Sequence, residues 1–426
     1  MGCTAARVDI KSSQTHIIWM LTEAQEARWS AGAAGAVASG GVGVTRLALT
    51  NFRNYPEARL ALDIGPVVLT GPNGAGKTNL LEALSFLAPG RGLRGARLTE
   101  IDHRPAIEGF TAAPATMPGW AVAATVATRR GALRIGTGRD ATEGERRMVR
   151  IDGEPARGQA ALGECLGVVW LTPQMDRLFL EGPGGRRRFL DRLVLALDPA
   201  HAARVGAYEQ VLRERARLLR TSCALNRPAD PVWLAALEEV MAAQGVAVVA
   251  ARRDAVHRLD RACASADGPF PRARLALVGA VEAWLDEMPA LAAEAKFAAA
   301  LAYARRDDAL AGGAAIGPHR SDLAVALAHG GVAAEYASTG EQKALLISIL
   351  LAHAELQRAS RGEPPLLLLD EVAAHLDANR RAALFEALGR LYSQVWLTGT
   401  DETVFAPLRG HAQFLSVRDG TVANPA

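Results

Sequence analysis

Cysteine is scarce in this chain, and the four present, Cys3, Cys165, Cys223 and Cys263, stand far apart. None falls at a CxxC or other metal-ligand spacing, which argues against a thiolate metal site. They are too few and too scattered for a disulfide framework, so a reducing compartment is expected. A continuous apolar run of about 18 or more residues, the length needed to span a bilayer, is missing as well. The apolar stretch from Ile17 to Leu21 is short and runs at once into charged residues, unlike a secretory signal. The expected location is the cytoplasm, with no membrane partner. Lysine is rare and arginine abundant, the composition of a high-GC genome. A strong net charge is also lacking: 48 basic residues face 45 acidic ones, giving +3 and a pI near 8.8. Such a balance permits a nucleic-acid partner without arguing for one, so the placement of charge has to decide.

What is present is an ordinary globular composition, 50% hydrophobic and 22% charged, in 426 residues. That length suggests two to three domains and a sizeable core. Residues 1–43 lack periodicity and end in AGAAGAVASGGVG. They are expected to be a flexible N-terminal extension, as a start codon assigned too far upstream would add. From Val44 onward VTRLALT and ARLALD read as strands, and PVVLTG as a buried strand entering a glycine-rich turn. WAVAATVAT, GALRIGT and RMVRIDG alternate as an antiparallel sheet does, and GVVWLT is a further apolar strand. From about residue 185 to 310 the spacing becomes helical, with breaks at Asn226–Pro228, Asp267–Pro271 and Met288–Pro289. Strand patterns return after Gly312 with LLLLD and QVWLTGT. The expectation is an α/β domain over 44–180 and 312–426, with an inserted helical lobe over 181–311.

Gly71-Pro72-Asn73-Gly74-Ala75-Gly76-Lys77-Thr78 matches G-x-x-x-x-G-K-[ST] in full, after a buried strand and before a helix. Glycines let backbone N–H groups wrap phosphate oxygens, and the helix adds its positive end. In this motif Lys77 reaches the β- and γ-phosphates of ATP and the Thr78 hydroxyl coordinates Mg2+. LLLLDE then places Asp370 and Glu371 at the end of a buried strand, where ligands bind in open α/β sheets. Asp370 is the candidate Mg2+ ligand, and Glu371 the candidate base for the attacking water. Taken alone, Ser338-Thr339-Gly340-Glu341-Gln342-Lys343 reads as a helix N-cap before ALLISILLAHAELQ, although such a helix start also suits an anion.

The order of these pieces changes that reading. A P-loop, Gln174 after a strand, a helical insertion, STGEQK, LLLLDE and Ala373–Asp377 follow the sequence order of an ABC-type ATPase. STGEQK resembles that superfamily's signature motif, and Ala373-Ala374-His375-Leu376-Asp377 its D-loop. Within the superfamily the chain resembles the RecF family through LTNFRNY (Leu49–Tyr55), GPNGAGKTNLLEAL, GPGGRRRFLD ending at Asp191, Ile316–Asp322 (IGPHRSD) and STGEQK. These segments are spread over about residues 45–400, nearly the whole folded chain.

The resemblance implies a P-loop ABC-type ATPase head with an inserted helical lobe. It implies a weak, DNA-dependent ATPase that forms a homodimer when ATP binds. Ser338, Gly340 and Gln342 of one chain would then close over the nucleotide held by the P-loop of the other. Arg53 and Asn54 would lie near the nucleotide, and Gln174 would serve catalysis and the metal. RecF-like proteins bind DNA, work with RecO and RecR to load RecA at gaps, and support replication forks and the SOS response. Single strands, duplex and their junction all remain open as the preferred DNA.

Two departures stand out. Gln174 occupies the place of the acid typical of the family, and the usual switch His is absent, the strand end reading Leu397-Thr398-Gly399-Thr400-Asp401. Slow turnover is expected. Arg186, Arg187, Arg188, Arg192, Arg204, Arg213, Arg215, Arg217 and Arg220 gather in the lobe, as phosphate contacts or as a solvated face in which Glu209 and Glu214 intervene. A transporter ATPase subunit and a DNA scaffold with merely structural ATP are the rival readings. His319 and Arg320 are left between a phosphate contact and a lobe interface.

Overall fold

A computed structural model describes residues 41–104, 119–141, 144–225, 229–266 and 268–423. The expected extension before residue 41 and the helix breaks at Asn226–Pro228 and Asp267 lie outside the described residues. The chain forms two compact units, one up to Gln159 together with Tyr392–Ala426, the other Ala160–Leu391. Both expected lobe boundaries, 181 and 311, fall inside the second unit.

The first unit contains an antiparallel sheet in the order β2-β1-β4-β5-β6-β7. Its strands are β1 (Gly43–Phe52), β2 (Tyr55–Ala61), β4 (Trp120–Thr128), β5 (Gly131–Arg139), β6 (Arg147–Ile151) and β7 (Glu154–Pro155). Along β1, Val44, Leu47, Leu49 and Phe52 are buried, the register shifting at a bulge between Val44 and Arg46. Its four-residue β3 (Val67–Thr70) is buried throughout and pairs in parallel with β12 (Val395–Gly399) and β13 (Gln413–Arg418). β14 (Thr421–Ala423) adds antiparallel to β13. Largely apolar sequences such as VVLT suit strands covered on both faces.

β3 leads into helix α1 (Lys77–Ser85). The end of α1 is fixed by three rings: Phe52 and Trp120 meet edge-on at 5.5 Å, and Phe86 lies 4.9 Å from Trp120. Aromatic pairs of this kind add roughly 0.5–1.5 kcal/mol each beyond their buried area. Gln394, fully buried, staples the start of β1. Its Oε1 accepts from the Val44 amide at 2.8 Å, and its Nε2 donates to the Val44 carbonyl at 2.9 Å.

In the second unit, a short helix α2 (Leu162–Cys165) precedes β8 (Val168–Leu171), which pairs in parallel with β11 (Leu366–Leu369). The lobe consists of α3 (Pro183–Leu197), α4 (His201–Ala224), α5 (Pro231–Ser265), β9 (Ala273–Val278), α6 (Ala280–Glu287), α7 (Ala290–Tyr303), α8 (Arg305–Ala311) and β10 (Asp322–Leu327). β9 and β10 form a two-stranded antiparallel ribbon. Then follow α9 (Thr339–Arg361) and α10 (Ala378–Arg390).

Tyr208, Met241, Val249, Val281, Phe297 and Leu301 share one apolar core in the lobe. By length and composition, α5 is the one helix among the described residues apolar enough to cross a membrane, with a stretch of mean hydropathy 1.6. Half of that stretch is buried inside the protein, as in the core helix of a helical lobe. Beside this core the Arg215 guanidinium is fully enclosed. It donates to Glu238 at 3.0 Å, Asp308 at 2.7 Å and the Leu301 carbonyl at 2.7 Å.

Candidate nucleotide and signature sites

The P-loop runs between β3 and α1 as its sequence suggests. Gly71 and Gly76 have φ of 152° and 117°. A Cβ at Gly71 would stand 2.1 Å from the Val417 carbonyl oxygen, and one at Gly76 2.4 Å from the Asn54 side chain. Only glycine fits either place, so the loop can stay tight. Lys77 Nζ donates to the carbonyls of Gly71 at 2.7 Å and Pro72 at 2.9 Å, which holds the ammonium over the loop's own crest.

Arg53 and Asn54 brace this loop from below. Asn54 Nδ2 donates to the Ala75 carbonyl at 2.9 Å, and Asn79 donates to Asn54 Oδ1 at 2.7 Å. The Tyr55 hydroxyl donates to the Gly76 carbonyl, and burial raises its pKa, so it stays a donor. Arg53 grips the fully buried Glu82 of α1 with two bonds of 2.8 Å, and Arg94 adds a third at 2.8 Å. The structure thus places the Arg53 guanidinium on the P-loop helix. Glu82 and Arg94, which no motif in the sequence flags, complete that brace. At the end of β12, Thr398 is buried and Asp401 is exposed. The Asp401 carboxylate accepts from the Thr403 hydroxyl and amide, which hold its pKa below the usual range.

The second unit carries the other candidate residues. Gln174 is exposed in a turn, Pro173–Arg177, directly after β8. Asp370 is buried at the end of β11, its amide donating to the Leu171 carbonyl at 2.9 Å. Glu371 follows with φ of 53°, a left-handed backbone that costs a glutamate about 1–2 kcal/mol. Strain of that sort gathers at functional sites.

Ser338 is the N-cap of α9 and, with Thr339 and Gly340, is exposed. Its amide and hydroxyl both donate to Glu341 Oε2, at 2.9 and 2.7 Å, forming a capping box. Those bonds from Ser338 lower the Glu341 pKa. Gln342, expected at the nucleotide, is instead 1% exposed, its Nε2 donating to the Ala337 carbonyl. The neighbouring Glu341 is the side chain at the helix start. Asp377 of the D-loop segment caps α10, accepting from the Arg380 amide at 2.9 Å. The Arg380 guanidinium stands beside Gly340.

The segments RRRFLD and IGPHRSD meet in the lobe. Arg186 pairs with Asp322 through two bonds of 2.7 and 2.8 Å, and Arg187 donates to the Ser321 carbonyl. Asp191 grips Arg252, which also donates to the Pro318 carbonyl at 2.6 Å. Burial alone would raise the Asp191 pKa, but His201 and Arg252 hold it low. His319 donates through Nε2 to the Ala314 carbonyl and accepts at Nδ1 from the Tyr208 hydroxyl, and burial lowers its pKa. Arg320 donates to the same Ala314 carbonyl.

Most of the arginines singled out in the sequence are therefore engaged within the second unit. Arg192 stacks on Trp170 at 3.8 Å and Arg204 pairs with Asp198. Arg188, Arg213, Arg217 and Arg220 are exposed. Among the described residues no group of three or more His, Cys, Asp or Glu could hold a metal ion.

These parts, in this order and fold, define a P-loop ATPase of the ABC type with an inserted helical lobe. The RecF/RecN/SMC N terminal domain matches residues 43–422. The "DNA replication and repair protein RecF" of Mesorhizobium japonicum is 48% identical over 386 residues, covering 89% of this chain and 97% of the relative. The protein of the same name from Rhizobium rhizogenes is 46% identical over 382 residues, covering 89% and 98%. A solved structure of the recombination mediator protein RecF-ATPrS in the RecFOR pathway superposes with a TM-score of 0.78 at 22% identity, covering 91% of this chain and 99% of that one. The chain belongs to the RecF family of these ATPases.

Proposed function

We propose that this chain is an ATP-dependent DNA-binding protein of recombinational repair and replication-fork maintenance, in which ATP drives dimerisation on DNA and slow hydrolysis reverses it. The observation that carries this reading is the exposure of Ser338, Thr339 and Gly340 at the start of α9. A helix start that presents a hydroxyl, backbone amides and a dipole end to solvent can face phosphate held by a second copy. In this reading Gly71–Thr78 hold ATP, with Lys77 on the β- and γ-phosphates. Asn54 and Arg53 act on the nucleotide by fixing the loop and its helix.

Thr78, Asp370 and Gln174 are the residues this reading assigns to Mg2+, each carrying an oxygen donor. Oxygen donors of this sort, one carboxylate and neutral groups, suit a small hard cation that keeps water and phosphate in its shell. Bound there, Mg2+ supplies charge neutralisation of the phosphates. Glu371 is the residue assigned to take the proton of the attacking water. ATP acts as a conformational timer, because closure is worth only the interactions that differ between the open and closed states.

For DNA, Arg213, Arg217 and Arg220 are the best candidates, with Arg188. The first three lie on one face of α4 over about 10 Å at 1.5 Å per residue. They offer salt-sensitive, sequence-independent contacts to the phosphate backbone. The family reading adds RecR and RecO as partners, RecA loading at gaps, and support of the SOS response. Gel filtration with and without Mg·ATP tests the core of this proposal. Wild-type chain should shift to a dimer with ATP, and Lys77→Met and Ser338→Arg should not. A shift in both variants equal to wild type would refute the mechanism.

A further inference from the structure

We propose that Lys343 is a positioning residue that locks the Ser338 helix start to the Gln174 turn and to the Asp370 strand end, so that the three move together. The proposal rests on the roles given above to Ser338, Gln174 and Asp370. Lys343 lies in the second turn of α9, and its side chain is only 9% exposed. Its Nζ is 3.4 Å from Asp176 Oδ2. Asp176 belongs to the short turn that carries Gln174. A small cleft is lined by Thr172, Asp176, Lys343, Leu346, Asp370 and Val372. One ammonium group thus shares a cleft with a carboxylate from the Gln174 turn and the carboxylate that ends β11.

Burying a lysine is costly unless an anion accompanies it, so this arrangement serves more than packing. The choice of cation points the same way. Of the 48 basic residues only four are lysines, at positions 11, 77, 296 and 343, and the rest are arginines. A chain that uses arginine almost everywhere has an ammonium here. The ammonium is a compact point charge on a flexible stem and fits a small cleft beside two acids, where the broader planar guanidinium needs more room. The consequence is mechanical. A shift of the Gln174 turn on phosphate binding pulls on Asp176, and through Lys343 on the first turns of α9, where Ser338 stands. The ion pair therefore makes the nucleotide-sensing turn and the signature serine one two-state element.

The test uses the full chain with Lys343→Gln, Lys343→Arg, Lys343→Glu, Asp176→Asn and the exchanged pair Lys343→Glu with Asp176→Lys. ATP affinity of the single variants should stay within about twofold of wild type, because the P-loop is untouched. Turnover number and ATP-driven self-association should each fall by about tenfold or more, a loss in kcat without a matching change in KM. The exchanged pair restores the link to the Gln174 turn but sets a carboxylate beside Asp370, so it should recover part, and not all, of the loss shown by Lys343→Glu. Without nucleotide, hydrogen exchange of amides 174–177 and 338–343 should speed up together in Lys343→Gln. Should the neutral variants fail to fold, Lys343→Arg keeps the charge and is expected to melt like wild type while losing the coupling. Single variants that turn over and associate like wild type, or an exchanged pair no better than Lys343→Glu alone, overturn the proposal. Wild-type chain that binds ATP yet never associates would defeat the ATPase reading instead. In that event unchanged exchange at 174–177 in Lys343→Gln would still overturn the role of Lys343.

Discussion

Glu341 holds both polar hydrogens of Ser338, accepting from its amide at 2.9 Å and its hydroxyl at 2.7 Å. These are the donors a phosphate arriving at the helix start would use, so ligand and carboxylate compete for them. Ser338→Ala removes the cap hydroxyl and should cost about 1 kcal/mol of stability, read by thermal melting. Ser338→Arg should leave ATP binding intact while abolishing ATP-dependent self-association, checked by sedimentation velocity.

The Lys77 ammonium rests on two carbonyls of its own loop, those of Gly71 and Pro72. Lys77→Met should weaken ATP binding by roughly 10- to 100-fold, the worth of one charge-assisted hydrogen bond at about 1.5–3 kcal/mol. The rise in melting temperature on adding ATP should vanish with it.

How far the sequence disclosed this protein depends on the range of the interaction concerned. The strand–loop–helix context of Gly71–Thr78 was legible because it is contiguous and its glycines have few alternatives. The ABC head and its inserted lobe were legible from the order of the motifs. Arg215 was not, for it looks like any other arginine in RARLLR. Its partners Glu238 and Asp308 lie on α5 and α8, brought together only by folding. The phase of α9 was also hidden: Glu341 faces the helix start and Gln342 the interior, a matter of helical rotation that STGEQ cannot reveal by itself. Likewise RRRFLD and IGPHRSD read as two separate motifs, until Arg186 on Asp322 shows them to be halves of one joint.

Arg215 gives the largest expected stability effect. Arg215→Ala would strand Asp308 in the core and deprive Glu238 of one of its two arginines, the other being Arg305. Removing one partner of a buried network should cost about 3–5 kcal/mol, measured by chemical denaturation.

His353 makes stability depend on pH. Its Nε2 donates to the Leu193 carbonyl, and burial lowers its pKa from 6.5 to about 4. The unfolded chain therefore binds more protons between those values. The contribution of the neutral ring is complete above pH 6.5 and is lost as pH falls toward 4. The slope should be about 1.4 kcal/mol per pH unit for this one group. His353→Gln should flatten the stability profile across that window, followed by urea denaturation at several pH values.

For DNA, Arg213→Glu and Arg217→Glu should weaken binding to all sequences alike. The slope of log affinity against log salt should fall by about 0.9 for each duplex phosphate that is no longer neutralised. Fluorescence anisotropy at several salt concentrations reads this directly. An unchanged slope would move the DNA face elsewhere.

The backbone of Glu371 stands at φ of 53°, where glycine or asparagine rests more easily than glutamate. Replacing it with either would relax the turn and raise thermal resistance, while discarding the carboxylate assigned to water activation. A library screened only for heat tolerance would therefore drift toward sturdier but inert molecules at this position.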